Sequence, residues 1–496
     1  MKKQGSLTVF AALAFMLIAS FLTALLEAGR MYELEAYADM SSELAIEAVC
    51  AEYQPALWED FHLLGLDGAY GGEDFSMDYV TAVLSQRIRT NLNQAGDGSA
   101  VMALSLSAAE TVEYQLLTDG DGSVFLDCVA DYMKENLPVE TAQILYDRYT
   151  RSEEVEKEQQ ETDGSVEDAK TAIEEAKRQQ QEESAAGNTT NGSSVPQEPV
   201  EVEENPLDVV LSLKQNALLG MVTGDLGGVS SKQVALTDTV GSRERVQGTA
   251  AVTADTDWYD KILALEYMDQ YFSDYGEPAE NHALSYEMEY VLCGKDADRD
   301  NLEGVINRLL LIREAANVTH ILGDSGKMAT TLAMAEALAG FTGNPAIVKV
   351  VQIGIVAAWA YVESILDLRA LLEGKRIALF KSSGEWTTSL GNLVQAFSDG
   401  GGAKECANGL FYQDYLKGLL FTMGTEKLAY RMMDVMEQNI RLTPAYVNCR
   451  MDHMICAIRY RIGYTSEPLF SEISTLGSLG IGELVFENEK EFAYYK

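Results

Sequence analysis

From Leu7 to Leu26 the chain runs for twenty residues without a charge. As a helix, such a run matches the roughly 30 Å hydrocarbon core of a bilayer, which takes about 20 residues to cross. Lys2 and Lys3 precede it, and Glu27 and Arg30 close it. A secretory signal has a shorter apolar core, about 7–15 residues, with a small-residue cleavage site directly after it. The nearest site of that kind, Ala36-Tyr37-Ala38, lies well past the end of the run. The stretch therefore reads as a retained, single-pass anchor in the cell membrane. Basic flanks stay on the cytoplasmic side, so the N-terminus is expected inside and everything after residue 30 outside.

One face of this helix is small: Ser20, Ala24 and Ala28 recur at every fourth residue. That spacing lets membrane helices approach backbone to backbone, so these three residues are the expected packing face, for self-association or for a partner's helix. Beyond the span, Met31, Leu34, Ala38, Ala45, Ala48 and Val49 continue at helical spacing, with no proline before Pro55. A membrane helix that continues as an amphipathic stalk is the prediction.

The basic start, the Gly5-Ser6 pair, the run LTVFAALAFMLIASFLTALLEAGR and the Ala-rich stretch after it resemble the N-terminus of TadE/TadG-type pseudopilins. These are accessory proteins of tight-adherence pilus systems. The resemblance covers about the first fifty residues and implies prepilin-type processing between Gly5 and Ser6. It departs from the pilin pattern at one place. The fifth position after processing, where pilin-like helices usually carry Glu, holds Phe10, and no acid occurs before Glu27. Three further stretches, AEYQPALWEDFHLLGLDGAYG, LSYEMEYVLCGKDADRDNLEGVINRLLLIREAANVTHILGD and AWAYVESILDLRALLEGKRIALFKSSGEW, resemble an uncharacterised family. Its members are membrane-anchored proteins of Gram-positive gut bacteria, often encoded near Tad-type pilus genes. The resemblance implies pilus-platform or pilin-like proteins as partners, and brings no established activity with it.

The clearest internal boundary is a change of composition over residues 151–205, which hold almost no aromatic or large aliphatic side chains. Such a segment cannot bury enough surface to offset its ordering entropy. Its first half, Ser152 to Ala185, is expected as a solvated helix supported by Glu–Lys pairs. Its second half, Gly187 to Asn205, reads as linker. The expected organisation is therefore residues 1–30 as tail and anchor, 31–150 as stalk and first part of an extracytoplasmic head, 151–205 as an acidic insertion or linker, and 206–496 as the main part of the head.

Strand-like alternation occurs at Tyr286, Met288, Tyr290 and Leu292, again at Ile458, Tyr460, Ile462 and Tyr464, and more weakly over Val101 to Thr118. Helical stretches are predicted at Trp258 to Phe272, Leu302 to Ala316, Lys327 to Ala339, Ala346 to Leu372 and Tyr412 to Ile440. The apolar residues 346–362 include Lys349 and Gln352 and are followed by Glu363 and Asp367, so a buried core helix is expected there rather than a second span. The predicted fold is α+β: an anchor helix continuing as a stalk, then a helix-rich head with a small antiparallel sheet.

A formal net charge of −40 and the absence of any Lys/Arg-rich run argue against nucleic acid as a partner. Motif-like stretches dissolve on inspection. GDSGK at 323–327 has Ile321 and Met328 where a phosphate loop needs Gly and Ser or Thr, so Asp324 or Ser325 is expected to cap a helix. DGDGS at 119–123 has Val124 and Ala130 where a calcium hand needs Gly and Glu, and reads as a turn after a strand. Cys449, His453 and Cys456 would share a helical face, but the alternation beginning there predicts a strand that separates them. Sequons stand at Asn188, Asn191 and Asn317. No catalytic, cofactor or metal site is predicted. The expectation is a non-enzymatic, membrane-anchored component of a Tad-like pilus or surface apparatus. The alternatives are a cell-surface ligand-binding module and an enzyme acting on envelope polymers through a carboxylate pair.

Overall fold

In the computed structural model the apolar run and the stretch after it form one helix, α1 (Lys2–Cys50), of 49 residues. At 1.5 Å per residue it is about 70 Å long. The structure describes residues 2–95, 102–134, 137–158, 165–185, 205–253, 256–470 and 482–495. The fold is mixed α+β, with two compact units: Met1–Tyr132, Arg243–Thr256 and Met436–Lys496 form one, Met133–Ser242 and Asp257–Val435 the other.

The first unit contains α1, α2 (Pro55–Phe61), β1 (Leu66–Asp67), α3 (Met77–Ala95), β2 (Ser105–Leu116), α4 (Ser123–Met133) and, from the end of the chain, β3 (Met454–Ser466) and β4 (Leu484–Ala493). β3 is the spine of an antiparallel sheet. β2 pairs along one edge, and β1 and β4 follow one another along the other. The alternation predicted at Ile458, Tyr460, Ile462 and Tyr464 is realised, all four being buried against α1 and α3. Each such burial is worth about 1.5–3 kcal/mol. α1 contributes Leu34, Ala38, Ala45, Ile46 and Val49 to the same core, while Met31 faces outward. Ser42, between the small residues, shares a hydrogen bond of 2.7 Å with the Tyr464 hydroxyl. On the opposite face of β3, Arg459 and Arg461 pair with Glu113, Glu491, Glu487 and Glu489 across both neighbouring strands.

The second unit is helical: α5 (Val139–Glu158), α6 (Ser165–Ala185), α7 (Pro206–Leu213), α8 (Leu218–Thr223), α9 (Trp258–Tyr271), α10 (Glu287–Cys293), α11 (Asp298–Gly323), α12 (Ser325–Ala339), α13 (Pro345–Leu372), α14 (Leu393–Ser398) and α15 (Tyr412–Phe421), with α16 (Thr425–Arg441) closing the series and passing into the first unit after Val435. Its axis is α13, covered by α6, α7, α11 and α12 and buried almost continuously from Val351 to Leu371. The apolar stretch 346–362 is thus a core helix. Its polar residues are matched: Asp367 accepts from Arg313 of α11 at 3.0 Å, and buried Lys381 pairs with both Glu363 and Asp367. Two cations against two carboxylates leave this buried group neutral, the condition under which burial of charge is tolerated.

Three expectations are corrected. The acidic stretch is not a solvated helix: it holds the end of α5 and all of α6, and α6 buries Val166, Ala169, Ile173 and Ala176. Small residues permit this, for a Cβ at Gly354 of α13 would lie 2.3 Å from the Ala169 Cβ. Residues 186–204, most of the predicted linker, fall outside the described residues. The alternation at 286–292 is a helix, α10, because the intervening Glu287 and Glu289 are themselves buried and hydrogen-bonded inside. Finally, the predicted helix over Tyr412 to Ile440 is broken between Phe421 and Thr425 into α15 and α16.

Candidate functional site: the end of the apolar helix

The first half of α1 is long and apolar enough to cross a membrane, and its apolar window is bare of protein. Leu7, Phe10, Phe15 and Leu17 are each at least 70% exposed. No water-soluble fold leaves such a stripe uncovered without a partner phase or protein. Ser20, Ala24 and Ala28 lie along one line of the helix; Ser20 is partly covered, and Ala24 and Ala28 are exposed. Thr23, beside them, turns its hydroxyl back to the Ala19 and Ser20 carbonyls at 3.1 and 3.0 Å, which keeps that polar group internally satisfied. Gly5 and Ser6 both lie within the first turns of α1.

Where the apolar run stops, two charges are buried rather than solvated. Glu27 is 6% and Arg30 3% exposed. Arg30 donates to Glu27 Oε1 at 2.9 Å, to Ser466 Oγ at 2.7 Å and to the Glu467 carbonyl at 2.9 Å. Glu27 Oε2 in turn accepts from the backbone N–H groups of Leu469 at 3.0 Å and Phe470 at 2.6 Å. Charge-assisted bonds of this kind are roughly twice as strong as neutral ones. The last residues of β3 and the turn after them are thereby fastened to the first turn beyond the apolar run. Sequence reasoning took Glu27 and Arg30 only as the end of a hydrophobic stretch. Their i,i+3 spacing was the available signal that they pair.

The other motif residues have structural work. Asp324 caps α12, accepting from Gly326 N at 2.9 Å and Lys327 N at 3.1 Å, and these bonds with Lys327 hold its carboxyl down at about 2. Asp119 turns the chain after β2, accepting from Leu116 N and Gly248 N. Cys449 and His453 precede β3, Cys456 lies on it, and all three are buried. Among the described residues no group of three or more His, Cys, Asp or Glu side chains is placed to hold a metal ion. Asn317 is 1% exposed and donates to Ser364 Oγ and Asp367, a setting closed to a glycan. Asn188 and Asn191 fall outside the described residues.

In the second unit one carboxyl is strongly perturbed. Glu289 of α10 accepts from Tyr275 N at 2.9 Å and the Tyr412 hydroxyl at 2.8 Å, while its Oε2 has no hydrogen-bond partner. Burial first, and then the Asp274 carboxylate, push its pKa up to about 8. Tyr275 and Tyr412 also line a cleft of about 290 Å³, with Phe411 and Glu373 on its walls. Glu289 and Asp274 are not among the lining residues, so the pair stands behind the cleft wall.

A family described as one of unknown function (DUF5702) matches residues 196–466, more than half of the chain. No curated protein and no solved structure matches the chain.

Proposed function

The chain belongs to DUF5702, a family of unknown function, and we propose from its own residues that it is a single-pass, non-enzymatic structural or assembly subunit of a Tad-like pilus or surface apparatus. The N-terminus lies in the cytoplasm and the bulk of the chain outside. One observation carries the reading. α1 is a single unbroken helix whose first half is bare and apolar and whose second half is built into the core beneath an antiparallel sheet. A helix used in this way is both anchor and spine, as in a pilin-like subunit. A simple tether would not need the sheet to be fastened at the membrane end by Glu27 and Arg30. The small-residue line of Ser20, Ala24 and Ala28 supplies the face on which a neighbouring membrane helix packs.

Fractionation with protease shaving of intact cells tests the topology: the head is expected in the membrane fraction and cleaved by added protease. A head that is protected, or recovered in the cytosol, refutes it. Copurification tests the role, with pilus-platform proteins expected. Recovery of a soluble ligand instead favours the second reading, a surface binding module, for which the aromatic cleft at Tyr275, Phe411 and Tyr412 is the supporting observation.

A further inference from the structure

We infer that the β3–β4 hairpin makes a second contact with the lipid surface beside the anchor, through Leu469, Phe470 and Val485. The inference rests on α1 spanning the membrane. If Leu7 to Leu26 fills the roughly 30 Å hydrocarbon core, Glu27 and Arg30 stand where hydrocarbon gives way to headgroups. The hairpin end is tied to those two residues by the bonds described above, two of them to the backbone N–H groups of Leu469 and Phe470 themselves. Hydrogen bonds of 2.6–3.0 Å hold Leu469 and Phe470 at the depth of Glu27.

The side chains at this end suit the interface. Leu469 and Phe470 are partly exposed. Val485, which pairs with Thr465 at the same end of the sheet, is 69% exposed. Among the described residues it is the most exposed aliphatic side chain outside the apolar run. Tyr32, just beyond Arg30 on α1, is 75% exposed and has the amphipathic ring that favours the headgroup layer. Between Arg461 and Lys490 there is no Lys or Arg, while Glu467, Glu472, Glu483, Glu487 and Glu489 are acidic. Only the apolar side chains can therefore draw this end to lipid, and the contact should neither depend on anionic lipid nor be released by salt. Two points of attachment also fix the sheet's tilt, which a single helix cannot do.

The test places the photocrosslinker benzoylphenylalanine singly at Leu17, Phe470, Val485 or Val447 in the full chain, in phosphatidylcholine nanodiscs. Val447 is 60% exposed but precedes the far end of β3, a strand of 13 residues that runs about 40 Å. Lipid adducts are expected at 17, 470 and 485, with little at 447, and no change in high salt. Adducts at 17 alone overturn the hairpin contact and leave the anchor standing. None at 17 removes the anchor and the inference together. Adducts of 470 with a second copy of the chain, in place of lipid, also overturn it. In a Glu27→Gln background the adduct at 470 should fall several-fold while that at 17 holds; an undiminished signal at 470 refutes the fastening as its cause.

Discussion

Replacing Glu289 by Gln should make the second unit more stable as pH rises, relative to the native chain. The carboxyl is fully buried, keeps one oxygen without a hydrogen-bond partner, and faces the charge of Asp274. Its pKa is raised from 4.5 to about 8 in the folded chain. Between those values the folded state holds a proton that the unfolded chain has released. The native state therefore binds more protons, and stability falls with rising pH. The contribution is intact below about 4.5 and is lost progressively up to about 8. At about 1.4 kcal/mol for each pH unit, the loss across the window is on the order of 4–5 kcal/mol. Gln retains an acceptor for Tyr275 N and the Tyr412 hydroxyl and does not titrate. The assay is urea unfolding of the full chain in detergent at pH 5, 6, 7 and 8. Tryptophan fluorescence reports it, because Trp258, Trp359 and Trp386 lie in the same unit as Glu289. The stability gap between Glu289→Gln and the native chain should widen by about 1 kcal/mol per pH unit. Asp274→Asn, which removes the second charge, should flatten part of the native slope. Parallel stability curves for the native chain and Glu289→Gln would refute the argument that burial holds this proton.

Three further outcomes follow from packing and proximity. Ala24→Ile should lower self-association or platform crosslinking of α1 in a membrane two-hybrid assay, while Leu22→Ile changes little; equal effects would make the helix only a tether. Gly354→Ala puts a methyl 2.3 Å from the Ala169 Cβ and 2.9 Å from the Ser165 carbonyl, so it should cost about 1–3 kcal/mol and speed amide exchange in α6; unchanged exchange would mean that α6 does not pack as described. Cys128 and Cys456 lie within hydrogen-bonding reach of each other, so diamide should join them, with loss of two thiols in non-reducing peptide mass mapping and no product in Cys128→Ser; retention of both thiols under denaturant-free oxidation would refute their proximity.

What local pattern can encode was legible in advance. Twenty uncharged residues determine a span-length helix whatever surrounds them, and the alternation at Ile458 to Tyr464 determines a half-buried strand, because one face of a sheet meets a core and the other meets water. Asp324 could be recognised as a cap because capping depends on residues two and three positions away. The same reasoning misread Tyr286 to Leu292, since alternation implies a strand only if the charged positions are solvated. Glu287 and Glu289 are instead buried and accept hydrogen bonds from Ser273, Tyr275 and Tyr412, the last more than a hundred residues away in sequence. α6 was misjudged for a related reason: its alanines look unable to form a core until Gly354 brings another backbone close enough for them to suffice. The chain by itself determined the long apolar helix, the central strand and the acidic character of the surface. Tertiary structure alone decided that Glu27 and Arg30 are buried and bonded to residues over four hundred positions away. Whether a charge is solvated or fastened depends on what folding brings beside it, and no local pattern carries that information.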